Sequence, residues 1–474
     1  MAATVTLTVL LLGVAVSRLV YPFDVGHYEA CIWTPAMASA QGKNPYDLAL
    51  SEPFATAPYG YFYYLTVGAG LRLFGWQFWF GRALTVLAAA VCVYCLSRIV
   101  LALTENRQAA LLATLIFLAT IPLHHWLGVH RPDLPALALA FVALAIVFAS
   151  DGESRFRLPL VIALLASAFF FKQTALLPIA VAVARCWQLG QRKSALIVLV
   201  GTVLVIVAIA AALNATSANP ARSYFWQHFV LAGRVPHSYA MAGHWLLSLF
   251  KSATTWIVSG LIVAALVAGK DWLSNVEFKA WLKSPICLWS CYLVAAFGFA
   301  FVTSSRAGAY INYYLETSIV AAAMVGLTWQ RLVRQDRWQR FYPALVLLVL
   351  LAGVFEFSRM ARAELYRWRS LPYYRELVAT LKDKTPPDSV CVSVHPELVI
   401  AAGRRLQFGD WIQYHDGRSP ELRRVFADGV NSGRYAAIVW VKPDDPNLPG
   451  YKAVTLQTPL PEKHYPVFLL LPEQ

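Results

Sequence analysis

Apolar residues in this chain come in long, nearly unbroken runs separated by short polar stretches, rather than at the spacing of half-buried helices or strands. A helix needs about 20 apolar residues to cross the hydrocarbon core of a bilayer, and backbone groups in lipid must be bonded within the helix itself. The runs therefore predict eleven spans, near 3–20, 79–102, 108–125, 134–150, 157–171, 173–189, 194–213, 252–269, 286–304, 312–330 and 341–357. The pair at 157–171 and 173–189 is short and shares only Phe171-Lys172-Gln173-Thr174 as its turn, which suits a hairpin that stops short of the far surface. The first run has no basic segment before it and no convincing small-residue cleavage site, so it reads as an uncleaved span rather than a signal peptide. Beyond residue 357 the pattern changes. Val390 to Val394 and Ala436 to Val441 are β-branched runs of strand length, and Pro420 to Gly429 has a helical pattern. The expected architecture is an all-α polytopic membrane domain over 1–357, with long outer loops at 21–78 and 214–251, followed by a small α/β soluble domain over 358–474.

Composition agrees: 58% of residues are hydrophobic and 14% charged, against about 25% charged in an ordinary soluble domain. The net charge of +14 sits mostly in the first 355 residues, which hold 24 basic and 12 acidic side chains. Basic residues flanking apolar spans act as orientation signals, so the charge speaks for membrane topology and against nucleic-acid binding. With the N-terminus in the cytoplasm, fourteen of those 24 fall in short inner loops; an odd number of spans then puts the C-terminal domain outside the cytoplasmic membrane. The seven cysteines show no zinc-type spacing and read as small apolar residues.

In this topology all ten histidines, together with Asp24, Glu29, Asp47, Glu52, Asp133 and Glu316, lie on the outer side. Any chemistry is expected there. The stretch around 58–75 reads as an amphipathic helix in the interface. Asp24 follows the first span, where partial dehydration would raise its basicity and suit it to taking a proton; the plainer reading is a capping Asp. Asp133, in His130-Arg131-Pro132-Asp133, could likewise cap the fourth span or, with Arg131, form a site for a phosphate and a metal or polar acceptor. Lys172 either snorkels to the interface or meets an anion at membrane depth. After Arg306, the spacing of Asn312, Tyr313 and Glu316 puts them on one helical face. His27, His124, His130 and His237 could bind a divalent cation, although no ligand spacing marks a metal site.

In their order along the chain these pieces resemble the polytopic GT-C glycosyltransferases, in particular the bacterial family similar to protein O-mannosyltransferases and lipid A aminoarabinose transferases. The resemblance rests on Asp24, then Gly42-Lys43-Asn44-Pro45-Tyr46-Asp47, the Pro-aromatic segment at 58–64, and Leu73-Phe74-Gly75 with Arg82. It continues through Arg131-Pro132-Asp133, the Phe-Lys turn at 170–172 and Asn312-Tyr313-Tyr314-Leu315-Glu316, and covers most of residues 1–330. The resemblance implies sugar transfer from a polyprenyl-phosphate-linked donor to a glycan, lipid or protein acceptor in the cell envelope, usually with inversion. It implies Asp24 as catalytic base or acceptor-orienting carboxylate, Asp133 as a second acidic catalytic-site residue, and Lys172, Arg131 and Arg306 on the donor phosphate. Glu29, His27, Tyr59, Asn312, Tyr313 and Glu316 are then the expected acceptor or sugar contacts. The chain departs from the common pattern of two adjacent acids after the first span: Asp24 is followed by Val25, and the next acid is Glu29. A transporter or flippase for a lipid-linked or small polar substrate is the main competing class. The gathering of polar groups at one surface, without paired halves, speaks against it.

Overall fold

The computed structural model describes residues 1–25, 29–50, 54, 55, 57–149, 157–218, 224, 228, 237–268, 282–306, 309–333, 336–409, 420–440, 450–454, 456 and 468–472. All eleven predicted apolar segments are helical, and the protein is a polytopic helical membrane protein with a small α/β sheet domain near its C-terminus. Among the described helices, five are long and apolar enough to cross a bilayer: Ala2–Val20, Trp79–Thr104, Arg192–Ala215, Pro285–Ser304 and Tyr342–Lys384. Tyr239–Phe250 and Ala253–Ala264, bent by 81°, make a sixth if taken as one broken span. The expected short hairpin is present as Leu158–Phe171 and Leu177–Gln188. At 1.5 Å per residue, a 14-residue helix reaches about 21 Å, less than the hydrocarbon thickness of about 30 Å.

Local chemistry explains several helix ends. The Asn106 side chain accepts from the amides of Gln108 and Ala109 to start Arg107–Leu118, and Ser284 accepts from the amide of Cys287 to start Pro285–Ser304. The segment predicted as a single span at 108–125 breaks at Ala119-Thr120 and resumes as Ile121–Trp126, whose first turn holds Pro122.

The chain forms two compact units. The first comprises Met1–Val16, Arg82–Ile209 and Val235–Ala361; the second comprises Ser17–Gly81, Ala210–Arg234 and Arg362–Gln474. The first long loop thus belongs to the same unit as the C-terminal residues. The core of the first unit includes Leu7, Leu112, Phe117, Phe141, Leu144 and Ile319. Its helices approach closely where residues are small: a Cβ on Gly326 would lie 3.0 Å from the Ala109 carbonyl oxygen and 3.2 Å from the Ala113 Cβ.

In the second unit, the stretch expected around 58–75 forms helix Tyr61–Phe74, which packs on Trp33–Ala40. A Cβ on Gly68 would sit only 2.1 Å from the Ala36 carbonyl oxygen, so this crossing requires glycine. The sheet consists of β1 (Val390–Ser393), β2 (Arg405–Leu406), β3 (Ala437–Trp440), β4 (Tyr451–Val454) and β5 (Phe468–Pro472), in the order β2-β1-β3-β5-β4. β1 is parallel to β2 and β3, whereas β5 is antiparallel to β3 and β4. Val392, Phe408, Tyr435, Ile438 and Leu470 form its core, and helix Pro420–Asn431 lies where the helical pattern predicts. Phe54 of the long loop extends the pairing: its amide donates to Gln407 O at 2.9 Å and its carbonyl accepts from Gly409 N at 2.8 Å.

Candidate active site

Three sequence motifs converge in the first unit. Asp133 opens helix Asp133–Ala149, where a negative charge also complements the helix dipole. Lys172 caps the C-terminus of Leu158–Phe171 in an extended conformation (φ −149°, ψ 119°), its amide still bonded to Ala168 O at 2.9 Å. Asn312 and Tyr313 lie in the 3-10 turn Ile311–Tyr314, and Glu316 in the first turn of Leu315–Val333. Each motif sits where a helix starts or stops, which leaves its polar groups clear of a helix's own ladder.

The Lys172 ammonium is ion-paired with Asp133 Oδ1. Asn312 Nδ2 donates to the same oxygen at 2.6 Å. The Lys172 Nζ also lies 4.6 Å from the centre of the Tyr313 ring, within cation–π range. Glu316 Oε1 accepts from the Tyr292 hydroxyl at 2.7 Å. These five predicted residues line one cleft with Thr174 and Phe299. Its volume is about 40 Å³, room for a few waters. Asp133 and Lys172 are 6% and 9% exposed, so both charges are largely stripped of water. Such an ammonium, already desolvated and held by one carboxylate, can exchange that partner for another oxyanion at little further desolvation cost.

A second group of predicted residues lies in the other unit. Glu29 N donates to Asp24 Oδ2 at 2.6 Å, and Val25 N donates to Glu29 Oε2 at 2.9 Å, so the two acids interlock. Glu29 is fully buried. Arg367 donates to Val25 O at 2.6 Å and pairs with Glu364, which also pairs with Arg18 at 2.8 Å. On the other side the Tyr374 ring lies 5.6 Å from Phe23 and 6.3 Å from His395. His395 Nδ1 is 3.3 Å from Glu397 Oε1. Burial works against the His395 imidazolium, but Glu397 and the charge of Asp24 outweigh it and hold its pKa above the usual value.

Asn44 and Asp47 act as ties. Asn44 Nδ2 donates to Leu213 O at 2.8 Å, and Asp47 accepts from the Ser217 hydroxyl and, at 2.9 Å, from Ala218 N. Tyr59 takes part in a tyrosine cluster, its amide bonded to the Tyr64 hydroxyl at 3.0 Å and its carbonyl to the Tyr46 hydroxyl at 3.0 Å. His228 packs against Tyr46 and Tyr224, and desolvation pulls its pKa down to about 3 despite a bond with the Tyr59 backbone.

No protein-family model and no curated protein matches the chain. Two crystal structures of ArnT from Cupriavidus metallidurans do. The form bound to undecaprenyl phosphate aligns with a TM-score of 0.66 at 14% identity, over 98% of this chain and 97% of that one. The apo form aligns with a TM-score of 0.67 at 14% identity, over 99% and 98%. The chain has the ArnT fold.

That fold is the GT-C architecture which the order of motifs implied. Within it, Arg131 and Arg306 are not among the residues lining the cleft. Arg306 instead forms a backbone bridge with His237, whose Nδ1 is 2.7 Å from the Ser305 hydroxyl. His27 lies outside the described residues. His124 Nε2 is bonded to Leu118 O at 2.7 Å and His130 is fully buried. Among the described residues no group of three or more His, Cys, Asp or Glu could hold a metal ion. None of the seven cysteines is in a disulfide.

Residues absent from the sequence reading also matter within the ArnT fold. Tyr292 was hidden among the aromatics of an apolar run. Arg18 carried a signal, being the one charged residue in the first span, and Glu364 and Arg367 have the i, i+3 spacing of a helical pair. His395 and Glu397 had none, because their significance depends on packing beside Phe23 and Tyr374.

Proposed function

We propose that this protein is a membrane glycosyltransferase that moves a sugar from a polyprenyl-phosphate donor to an acceptor at the outer face of the cytoplasmic membrane. The observation that carries the reading is the cleft constellation of the buried Lys172–Asp133 pair with Asn312, Tyr313 and Glu316, in a chain with the fold of a protein solved with undecaprenyl phosphate. In this reading the donor phosphate displaces Asp133 from the Lys172 ammonium. As the acceptor oxygen bonds to the anomeric carbon, the bond from that carbon to the phosphate oxygen breaks and negative charge grows on the leaving phosphate. Lys172 neutralises that charge, with Arg131 and Arg306 as further cations, which lowers the barrier without a nucleotide-binding fold.

The acceptor proton goes to Asp24, whose carboxylate is ordered by the Glu29 amide. Asp133, once released, is free to accept a hydrogen bond from the acceptor or the transferred sugar. Asn312, Tyr313, Glu316, Tyr59, Glu29 and His27 are the proposed sugar and acceptor side chains. The N-terminus is cytoplasmic and the sheet domain extracytoplasmic in this reading, as the distribution of Lys and Arg supports.

The test uses the purified full chain in lipid nanodiscs. Undecaprenyl phosphate should bind, and a radiolabelled sugar should move from a polyprenyl-phosphate donor into envelope acceptor material. Movement of intact donor between leaflets, with no label transferred, would overturn the reading in favour of a flippase.

A further inference from the structure

The Asp24 carboxylate is backed by a frame of charged side chains within the second unit. Arg18 and Glu364 are 4% and 5% exposed, and their side chains meet at 2.8 Å. The same carboxylate binds Arg367 through its second oxygen. Arg367 then uses another guanidinium nitrogen to grip the Val25 carbonyl at 2.6 Å. Val25 passes the constraint on, because its amide donates to Glu29 Oε2 and the Glu29 amide donates to Asp24 Oδ2. A continuous set of charge-assisted bonds therefore runs from Glu364 to the Asp24 carboxylate. Two neutral contacts fix its base: Trp368 Nε1 donates to Ser17 Oγ at 2.7 Å, and the Tyr21 hydroxyl donates to Arg367 O at 3.3 Å.

Burying the Arg18 guanidinium and the Glu364 carboxylate, with Arg367 half-buried beside them, costs several kcal/mol per buried ion before their attraction is counted, and well-packed apolar residues often serve stability equally well. Stability alone does not explain the frame. Geometry does, since Arg367 is a rigid planar fork able to satisfy a carboxylate and a carbonyl in fixed relative positions, which a lysine ammonium does not reproduce.

We propose that Arg367, braced by Glu364 and Arg18, is a positioning residue that sets the direction of the Asp24 carboxylate through Val25 and Glu29. The proposal rests on the reading of Asp24 as the base in transfer, but the geometric claim can be tested apart from it. Hydrogen exchange at the Val25 and Glu29 amides of the full chain in detergent reports the two terminal bonds directly. In Arg367→Gln both amides should exchange at least about tenfold faster, the loss expected for a charge-assisted bond, while the β1 amides keep their wild-type rates. Arg367→Lys should restore part of the protection. Glu364→Gln, which keeps the shape of the brace and removes its charge, should loosen the same two amides less than Arg367→Gln does.

In transfer assays with a radiolabelled polyprenyl-phosphate sugar, Arg367→Gln should lower kcat and leave the donor KM unchanged. Unchanged exchange at Val25 and Glu29 in Arg367→Gln would overturn the proposal, and so would a loss of protection spread evenly through β1. If the two amides loosen as expected while Asp24→Asn retains full transfer, the frame stands and the role assigned to Asp24 fails.

Discussion

The ammonium of Lys172 and the carboxylate of Asp133 form a buried ion pair across 39 positions of sequence, joined at the same oxygen by Asn312, which is 179 positions from Asp133. Lys172 thus ends a short helix not by snorkelling away from the protein but by turning into a cleft. Removing one member leaves the other charge buried, whereas removing both does not, and this difference separates a structural from a functional role.

Lys172→Met should destabilise the first unit by about 3–5 kcal/mol because Asp133 loses its counter-charge. Adding Asp133→Asn to that variant should recover most of the loss. Neither the single nor the double variant should bind undecaprenyl phosphate. Thermal unfolding and lipid binding, measured on the same detergent preparations, give both readouts. Wild-type binding by the double variant would remove Lys172 from the phosphate site.

Asp24→Asn should abolish transfer while leaving yield and melting temperature near wild type. The amide retains an oxygen able to accept from Glu29 N, so the turn survives, but it is not basic. A single-turnover assay with radiolabelled polyprenyl-phosphate sugar measures the loss.

The crossing of Trp33–Ala40 and Tyr61–Phe74 should be sensitive to one methyl group. Gly68→Ala drives a Cβ against backbone at Ala36 and should cost about 1–3 kcal/mol. Gly243→Ala, at a helical position with no atom within 4 Å, should instead stabilise by about 0.5–1 kcal/mol. The two melting temperatures should move in opposite directions.

His395 gives the second unit a pH dependence of definite sign. Its folded pKa is raised, so the stabilisation is complete below the unfolded value of about 6.5 and disappears as pH rises through the higher folded value. The effect is modest, since 23% of the side chain is exposed and solvent screens the pair with Glu397. Melting temperatures measured from pH 5.5 upward should fall across that window in the wild type and stay flatter in His395→Gln.

A reporter that is active only outside the cytoplasm should be active when fused after Gln474. Activity of a cytoplasm-only reporter at that site would contradict the orientation argued from the Lys and Arg distribution.

The sequence alone determined where helices form. Eleven apolar runs became helices, and the β-branched runs near 390 and 437 became strands, because element length and side-chain periodicity are local properties imposed by hydrocarbon thickness and by the pleat. The residue types in the cleft were also legible, since Asp, Lys and Asn at the ends of apolar runs are costly without partners. Which partners they find was not. Apolar helix faces are chemically alike, so only three-dimensional packing brings Lys172 to Asp133 and Asn312. Packing also decided that Glu29 is buried inside the Asp24 turn. The polar sequence after residue 357, read as the end of a span, continues one 43-residue helix to Lys384. Arg367 and Glu364 on that helix are ordinary surface residues by spacing; they become a bonded frame only because Arg18 and Val25 lie against them.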